Sequence, residues 1–197
     1  MFEVILFDLG RVVVGLGDSP IPKCWLKAEN SMPIEAWFTS EFGQKFEKGQ
    51  ISAVEFTTQF KQQFELEQSI EEIMEAFTAW PTGMFPAMPQ TLTELRSRYH
   101  LAVLSNTNEL HFPRLIEEFG IAEYFDTIFV SHHMHKAKPE RAAFEHVLDV
   151  LEVAPDKVLF LDDNQQNIES AASLGIISVQ VCGEEQVIQA LKAKGAV

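Results

Sequence analysis

The sequence of 197 residues is poor in cysteine and in long apolar runs. Its two cysteines, Cys24 and Cys182, are too few for the disulfide framework of a small secreted protein, and they indicate buried or idle thiols in a reducing compartment. No run approaches the roughly 18 consecutive apolar residues of a transmembrane helix. The short apolar run at 4–6 follows an acid, Glu3, instead of the basic stretch of a signal peptide. We therefore expect a cytoplasmic protein without a membrane partner.

Basic residues are also scarce, since 15 lysines and arginines face 29 aspartates and glutamates and leave a formal net charge of −14. A surface of this sign repels a phosphate backbone, so we expect no nucleic-acid partner. Hydrophobic residues make up 46% and charged residues 22%, which is typical of a globular protein and not of a disordered one. At roughly 150 residues per domain, the length predicts one domain with or without an insertion. We expect a monomer or homodimer.

Five apolar runs rich in β-branched residues predict buried strands, namely FEVILFDLG at 2–10, LAVLSN at 101–106, TIFVS at 127–131, KVLFLDD at 157–163 and IISVQV at 176–181. Helical patterns separate the later runs, and three of them follow a proline suited to a first helical turn, namely Pro89, Pro113 and Pro139. Strand and helix therefore alternate. This order predicts an α/β fold, a three-layer Rossmann-like parallel sheet with helices on both faces.

One stretch, at about 20–80, shows helical periodicity only. Its apolar faces are rich in aromatic residues, including the stripe Trp37, Phe38, Phe42 and Phe46. Packing between helices explains these rings better than a cofactor site does. Two capping-box signals predict helix starts within the stretch, at Ser52 with Glu55 and at Ser69 with Glu72.

This stretch predicts an α-helical cap inserted after the first strand. The chain re-enters the sheet through a turn-rich segment, PTGMFPAMP at 81–89. We expect the cap to comprise residues 15–85, and the core to comprise residues 1–14 and 86–197.

Polar and charged side chains follow four of the predicted strands. They are Asp8 after the first strand, Ser105 and Asn106 after the second, Lys138 in the loop after the third, and Asp162 and Asp163 after the fourth. Because ligands of an open parallel sheet bind outside the carboxyl ends of its strands, we expect these side chains to meet at one edge.

The predicted group suits phosphoryl chemistry. Three converging carboxylates need a cation, and hard oxygen ligands select magnesium, which shares its coordination shell readily with phosphate. Asp8 is the natural nucleophile, because a carboxylate can form an acyl phosphate. Lys138 would hold both this acid and the phosphoryl oxygens, and Ser105 would bind further oxygens. Alternatively, Asp162 and Asp163 serve only to cap the following helix.

The same residues resemble the motifs of the haloacid dehalogenase-like hydrolases. FDLGRVVV is similar to the first motif of that family, LSN to the second, the Lys-Pro pair of SHHMHKAKPE to the third and FLDDNQQNI to the fourth. The resemblance covers 1–14 and about 86–197, and the helical insertion corresponds to the C1-type cap of subfamily IA. It implies Asp8 as nucleophile, Mg²⁺ held by Asp8, Asp162, Asp163 and the Gly10 carbonyl, and phosphate bound by Ser105, Asn106 and Lys138.

Gly10 departs from the family pattern, in which phosphatases carry a second aspartate there as general acid and base. A positioned acid or base contributes about 10²- to 10⁴-fold to a rate, and its loss is smallest for a weakly basic leaving group. The Asp-Leu-Gly form resembles a branch with α-glucose-1-phosphatase-like proteins and relatives of the epoxide hydrolase N-terminal domain. The neighbouring Arg11 would either bind a phosphate or sugar hydroxyl or pair with Asp18.

Several further residues have open roles. His132, His133 and His135 share one loop, where such residues are more often solvated than bound to a metal, although one of them is a candidate for the missing acid or base. Asn167 either supports the neighbouring acids or lies on a helix face. Three cap residues are candidates for substrate specificity, namely Lys23, Trp25 and Lys27.

The sequence thus predicts a magnesium-dependent phosphatase of a small soluble phosphometabolite, with a sugar phosphate as the expected substrate and an aspartyl-phosphate on Asp8 as intermediate. One alternative is a 2-haloacid dehalogenase, in which the same aspartate attacks carbon and needs no metal. Another is a weakly active or non-catalytic relative that binds a phosphorylated ligand or a protein partner, which Gly10 keeps open.

Overall fold

A computed structural model describes residues 2–27, 38 and 40–197, so Trp37 of the predicted aromatic stripe lies outside the described residues. The strands are β1 Val4–Phe7, β2 Val14–Leu16, β3 Pro81–Met84, β4 His100–Ser105, β5 Thr127–Val130, β6 Val158–Asp162 and β7 Ile177–Gln180. The α-helices in the described residues are α1 Glu41–Glu47, α2 Ala53–Gln63, α3 Ile70–Thr78, α4 Met88–Arg96, α5 His111–Pro113, α6 Ser131–Met134, α7 Arg141–Leu151, α8 Gln165–Ser173 and α9 Glu184–Ala193.

Five strands form one parallel sheet in the order β5-β4-β1-β6-β7, which confirms the predicted α/β fold. The central strand β1 pairs with β4 and β6, so that Val4 lies opposite both His100 and Val158. Its residues alternate between two hydrophobic clusters, with Ile5 in one and Leu6 in the other. Because successive side chains of a strand point to opposite faces, helices cover the sheet on both sides.

A two-stranded antiparallel ribbon of β2 and β3 joins this sheet to the helices between them. Residues 81–84, predicted as part of a turn-rich segment, form β3 instead. Pro81 begins this strand, a position where a missing backbone N–H is tolerated, and Gly83 lies opposite Gly15. The proline and glycine of 81–84 disfavour a strand, but pairing with β2, which is distant in the sequence, outweighs this preference.

Helices α1 to α3 pack around an aromatic core that is separate from the two clusters on the sheet. We call its five fully enclosed rings the phenylalanine cluster: Phe46, Phe56, Phe60, Phe64 and Phe77. The side chains of Ser52 and Ser69 each accept a hydrogen bond from the backbone N–H three residues later. The side chains of Glu55 and Glu72 accept from the serine backbone N–H in return, which completes both predicted capping boxes.

These helices contact the loops at the carboxyl edge of the sheet. Lys48, just after α1, forms an ion pair with Glu140, and the backbone N–H of Ala53 donates to the carboxylate of Glu109. His135 donates its Nδ1–H to the backbone carbonyl of Lys48 at 2.8 Å. The helical segment therefore lies over the edge where the sequence places its functional residues.

The two thiols are free and both Cys24 and Cys182 are exposed, so of the two alternatives, buried or idle, the structure contradicts the first. Each lies outside the hydrophobic clusters, Cys24 in a short 3₁₀ turn and Cys182 just before α9. Among residues 2–27 and 40–197, no helix combines the length and apolar character of a bilayer-spanning segment.

Replacing Phe60 by alanine should lower the free energy of unfolding by about 3–5 kcal/mol. The ring is only 1% exposed, so its removal would leave a cavity in the phenylalanine cluster. Val54→Ala on the same helix is the matched control. Its side chain is 57% exposed, and we expect a change below about 0.5 kcal/mol. Denaturant unfolding followed by tryptophan fluorescence measures both variants, and similar losses in the two would contradict this assignment.

Candidate active site

Asp8 directly follows the central strand and is 9% exposed. Its backbone N–H donates to the carbonyl of Leu161 on β6 at 2.9 Å, which continues the sheet by one bond. The chain then turns sharply, because the Leu9 carbonyl accepts the N–H groups of 12–14 at 3.2, 2.9 and 2.8 Å. This turn places Gly10 beside Asp8 at the rim of the sheet.

Lys138 connects two of the acids. Its ammonium lies 2.8 Å from Asp8 Oδ1 and 2.6 Å from Asp162 Oδ2, and its side chain is 2% exposed. The side-chain amide of Asn106 binds both backbone polar groups of Lys138. Asn106 Oδ1 accepts the Lys138 N–H at 2.9 Å, and Asn106 Nδ2 donates to the Lys138 carbonyl at 2.9 Å. The end of β4 therefore holds the loop after β5 in place.

Protein donors occupy both carboxylate oxygens of Asp162. Oδ1 accepts from the backbone N–H of Asn164 at 2.8 Å and from Asn167 Nδ2 at 2.9 Å, while Oδ2 accepts from Lys138 and from Asn167 at 3.0 Å. Asn167 thus supports the acids. The N-cap of α8 is Asn164, so the alternative in which Asp162 and Asp163 cap this helix is wrong.

The three acids fit a magnesium ion. One carboxylate oxygen from each of Asp8, Asp162 and Asp163 lies within 4.8 Å of the others, and such hard oxygen donors suit Mg²⁺. Asp163 is half-buried and keeps oxygen capacity toward solvent, whereas the oxygens of Asp162 are already engaged. All three aspartates stay predicted ligands, and Asp162 in addition holds Lys138.

Arg11 lies at this rim in an exposed position with a left-handed backbone, φ 58°. Its guanidinium is 3.9 Å from Asp163 Oδ2, and within the described part of the chain no ion pair joins it to Asp18. The predicted pairing with Asp18 is therefore wrong. The position beside Asp163 keeps Arg11 near any anion bound at the rim.

Burial and the neighbouring charges shift the pKa values of Asp8, Asp163 and Lys138. Burial, with the charges of Asp162 and Asp163, raises the pKa of Asp8 to about 7, although Lys138 opposes this rise. Burial also raises the pKa of Asp163, with further repulsion from Asp162. Burial alone would lower the pKa of Lys138, but the carboxylates of Asp162 and Asp8 raise it above its usual value. Lys138 is therefore charged, and a bound divalent cation would favour the ionised acids.

A cleft lies at the same sheet edge, next to the helical segment, and Asp8, Lys138, Asp162 and Asp163 are not among its described lining residues. One side is polar and comes from the sheet edge, with Gly10, Ser105, Asn106, Thr107 and Asn108. The other side is mostly apolar and includes Leu16, Phe38, Phe77, Trp80, Pro81 and Leu115. The buried Ser105 ends β4 as predicted, so the structure brings both Ser105 and Asn106 to the cleft.

Two residues of the cleft were missed by sequence reasoning, Glu47 and His111. His111 donates Nε2–H to the Phe77 carbonyl at 2.8 Å and accepts at Nδ1 from Asn108 at 3.3 Å. Burial lowers the pKa of His111 to about 4, so the ring is neutral. The carboxylate of Glu47, at the end of α1, accepts from Asn106 Nδ2 at 3.3 Å.

The predicted specificity residues are not among the described residues that line the cleft. Lys23 lines a separate groove, and Lys27 forms an ion pair with Glu65 at 3.0 Å. The histidines 132, 133 and 135 are also absent from the described lining, and His132 borders a different cavity. In the described part of the chain, the three aspartates form the one cluster with metal-ligand geometry, so nothing there supports a histidine metal site.

A family model for haloacid dehalogenase-like hydrolases matches residues 30–181. The chain is 26% identical over 189 residues to the D-ribitol-5-phosphate phosphatase of Bacteroides thetaiotaomicron, covering 91% of this chain and 92% of that protein. It is also 26% identical over 183 residues to the sesquiterpene phosphatase astK of Aspergillus oryzae, covering 91% and 90% of the two chains.

A solved structure of a haloacid dehalogenase-family enzyme from Bacteroides thetaiotaomicron, in a magnesium complex, is similar to this fold. The TM-score is 0.81 at 26% sequence identity, and the match covers 97% of this chain and 98% of that one. The likeness therefore extends through both the sheet and the helical segment.

Replacing Lys138 by methionine should lower the free energy of unfolding by about 3–5 kcal/mol, because Asp8 and Asp162 would remain buried without their cation. Lys45→Met is the control, since its exposed pair with Glu41 on α1 should contribute less than about 1 kcal/mol. Denaturant titration in metal-free buffer measures both changes. Adding Asp8→Asn to Lys138→Met should restore part of the loss, and a larger loss in the double variant would refute the charge argument.

Proposed function

The chain belongs to the haloacid dehalogenase-like hydrolases, and from this membership we propose that it is a magnesium-dependent phosphatase of a small phosphorylated metabolite. One observation carries the proposal: Asp8 lies at the end of the central strand, paired with the buried ammonium of Lys138 at 2.8 Å and close to Asp163. This arrangement would supply a nucleophile, a fixed cation and oxygen ligands at one point. The phosphatase names of the two relatives support the same reaction.

The first step would be attack of an Asp8 carboxylate oxygen on phosphorus, with departure of the alcohol and formation of an aspartyl-phosphate. Lys138 favours the ionised form of Asp8 and would balance the charge of the phosphoryl oxygens. Ser105 and Asn106 border the cleft from the end of β4 and would bind further oxygens. Water then cleaves the aspartyl-phosphate and regenerates Asp8.

Asp8, Asp162, Asp163 and the Gly10 carbonyl would hold the magnesium ion at the rim. The charge of this set explains the need for it, since three carboxylates face one ammonium. When bound, magnesium would supply positive charge for the carboxylates and for the phosphoryl group. Arg11 lies 3.9 Å from Asp163 and would contribute further positive charge beside the substrate.

We also propose that residues 15–85 act as a cap on a core formed by 1–14 and 86–197. The β2–β3 ribbon is the connection between them, and the phenylalanine cluster gives the cap a hydrophobic core of its own. The cap would exclude water from the cleft, and its face would select the substrate. The relative that acts on D-ribitol-5-phosphate supports a phosphorylated sugar or polyol as the substrate class.

Asp8→Asn should reduce phosphatase activity by more than about a thousandfold while the protein stays folded, because the amide cannot form the acyl phosphate. The measurement is phosphate release across sugar phosphates, polyol phosphates, acyl phosphates and p-nitrophenyl phosphate. Asp149→Asn, an exposed substitution on α7, should retain the wild-type rate. Equal activity of Asp8→Asn and wild type would exclude this nucleophile, and no turnover by wild type would favour a binding protein.

Removing divalent cations with a chelator should abolish phosphate release, and adding magnesium back should restore it, because uncompensated carboxylates would repel the substrate. Parallel assays of phosphate release and of halide release from 2-haloacids measure both possible reactions. Halide release that persists in the chelator would contradict the proposal and identify a dehalogenase, since attack on carbon needs no metal.

A further inference from the structure

We propose that Glu47 is the proton-transfer residue of this phosphatase, and that the helical segment supplies through it the carboxyl group that position 10 lacks. The inference rests on the proposed function, because it assigns a proton path to that reaction. Gly10 has no side chain to protonate a leaving group. Glu47 faces the same cleft from the opposite side, at the end of α1.

The first argument is position. Glu47 lines the cleft together with Gly10 and Ser105, and its carboxyl group is close enough to Asp8 and Lys138 to interact with their charges. Asn106 Nδ2 donates both to Glu47 Oε2 at 3.3 Å and to the Lys138 carbonyl at 2.9 Å. One amide therefore fixes Glu47 relative to the loop that carries the catalytic lysine.

The second argument is elimination among the described residues of the cleft. Glu47 is the one carboxylic acid in that lining, and His111 is the one imidazole. Both ring nitrogens of His111 are engaged, with the Phe77 carbonyl and with Asn108, so this ring cannot take part without breaking its own bonds. Among the titratable side chains of the described lining, Glu47 is thus the one available for proton transfer.

The third argument is charge. Burial raises the pKa of Glu47 to about 7, and the charge of Asp8 adds to the rise, while Lys138, the Asn106 amide and Lys48 oppose it. Both protonation states are therefore populated near neutral pH. An acid that must later act as a base works best when its pKa lies near the working pH.

The proposed steps balance. As Asp8 forms its bond to phosphorus, the bond to the leaving oxygen breaks, and that oxygen takes the proton of the Glu47 carboxyl group to give a neutral alcohol. The Glu47 carboxylate then removes a proton from water as the water oxygen attacks phosphorus. The Asp8 oxygen leaves with its electron pair, and the products are inorganic phosphate, ionised Asp8 and protonated Glu47.

Glu47→Gln is the decisive variant, because glutamine keeps the shape and can still accept from Asn106 but cannot carry the proton. Its effect should depend on the leaving group. With an alkyl phosphate, kcat/KM should fall by about 10²- to 10⁴-fold. With p-nitrophenyl phosphate, whose leaving group needs no proton, kcat/KM should change by less than about threefold.

With this aryl substrate, slow cleavage of the aspartyl-phosphate should also produce a burst of about one p-nitrophenolate per enzyme before a slow steady state. Glu41→Gln is the matched control, since Glu41 lies on the same helix but is exposed and paired with Lys45. It should behave as wild type. A role of Glu47 in positioning alone predicts equal losses on both substrates and no burst, and that result would overturn the inference.

Position 10 offers a rescue test. A Cβ built on Gly10 would meet Leu16 Cδ1 at 3.4 Å, an ordinary contact, so the backbone there leaves room for a Cβ. Gly10→Asp in the Glu47→Gln background should regain at least about tenfold in alkyl-phosphate turnover, because a carboxyl group returns to the cleft. No gain would refute the equivalence of the two positions. Wild-type turnover in the same assays separates these outcomes from failure of the phosphatase proposal itself.

Discussion

The buried ammonium of Lys138 between Asp8 and Asp162 is the interaction on which the site depends. Two carboxylates this close to each other and away from water would repel strongly and tend to protonate, and neither could then act as a nucleophile or an anchor. The structure commits several donors to this group, including the Asn106 amide on the lysine backbone and the Asn167 amide on Asp162. Removal of the lysine therefore changes both stability and chemistry.

The same group is the reason for proposing a divalent cation. Asp8 and Asp162 share the ammonium of Lys138, and Asp163 lies 3.9 Å from the Arg11 guanidinium, so the three ionised carboxylates exceed the two cations by one charge. A phosphate ester would add further negative charge at that point. A magnesium ion would remove the conflict, since it would attract both the acids and the phosphate. Charge balance and oxygen geometry thus indicate the same cofactor.

Much of this arrangement could be predicted from the sequence, because parallel strands end at one edge and their final residues are visible as acids after apolar runs. The different environments of Asp162 and Asp163 could not be predicted. Asp162 is the last residue of β6 and is fully buried, whereas Asp163 follows it and is half-buried, and this difference depends on which face each side chain takes. The β2–β3 ribbon was missed for a similar reason, since its pairing is tertiary.

Glu47 was beyond sequence reasoning because α1 carries two acids in one short helix, Glu41 and Glu47, with no local signal to separate them. Packing of the helix over the sheet edge decides that one pairs with Lys45 in solvent and the other meets Asn106 in the cleft. A proton-transfer group on the helical segment would act only while that segment lies over the sheet edge. Closure and proton transfer would then be one event, so that a phosphate bound to the open sheet edge would lack the proton needed for departure of an alkoxide. An aspartate at position 10 would lack this coupling, because it belongs to the sheet edge itself.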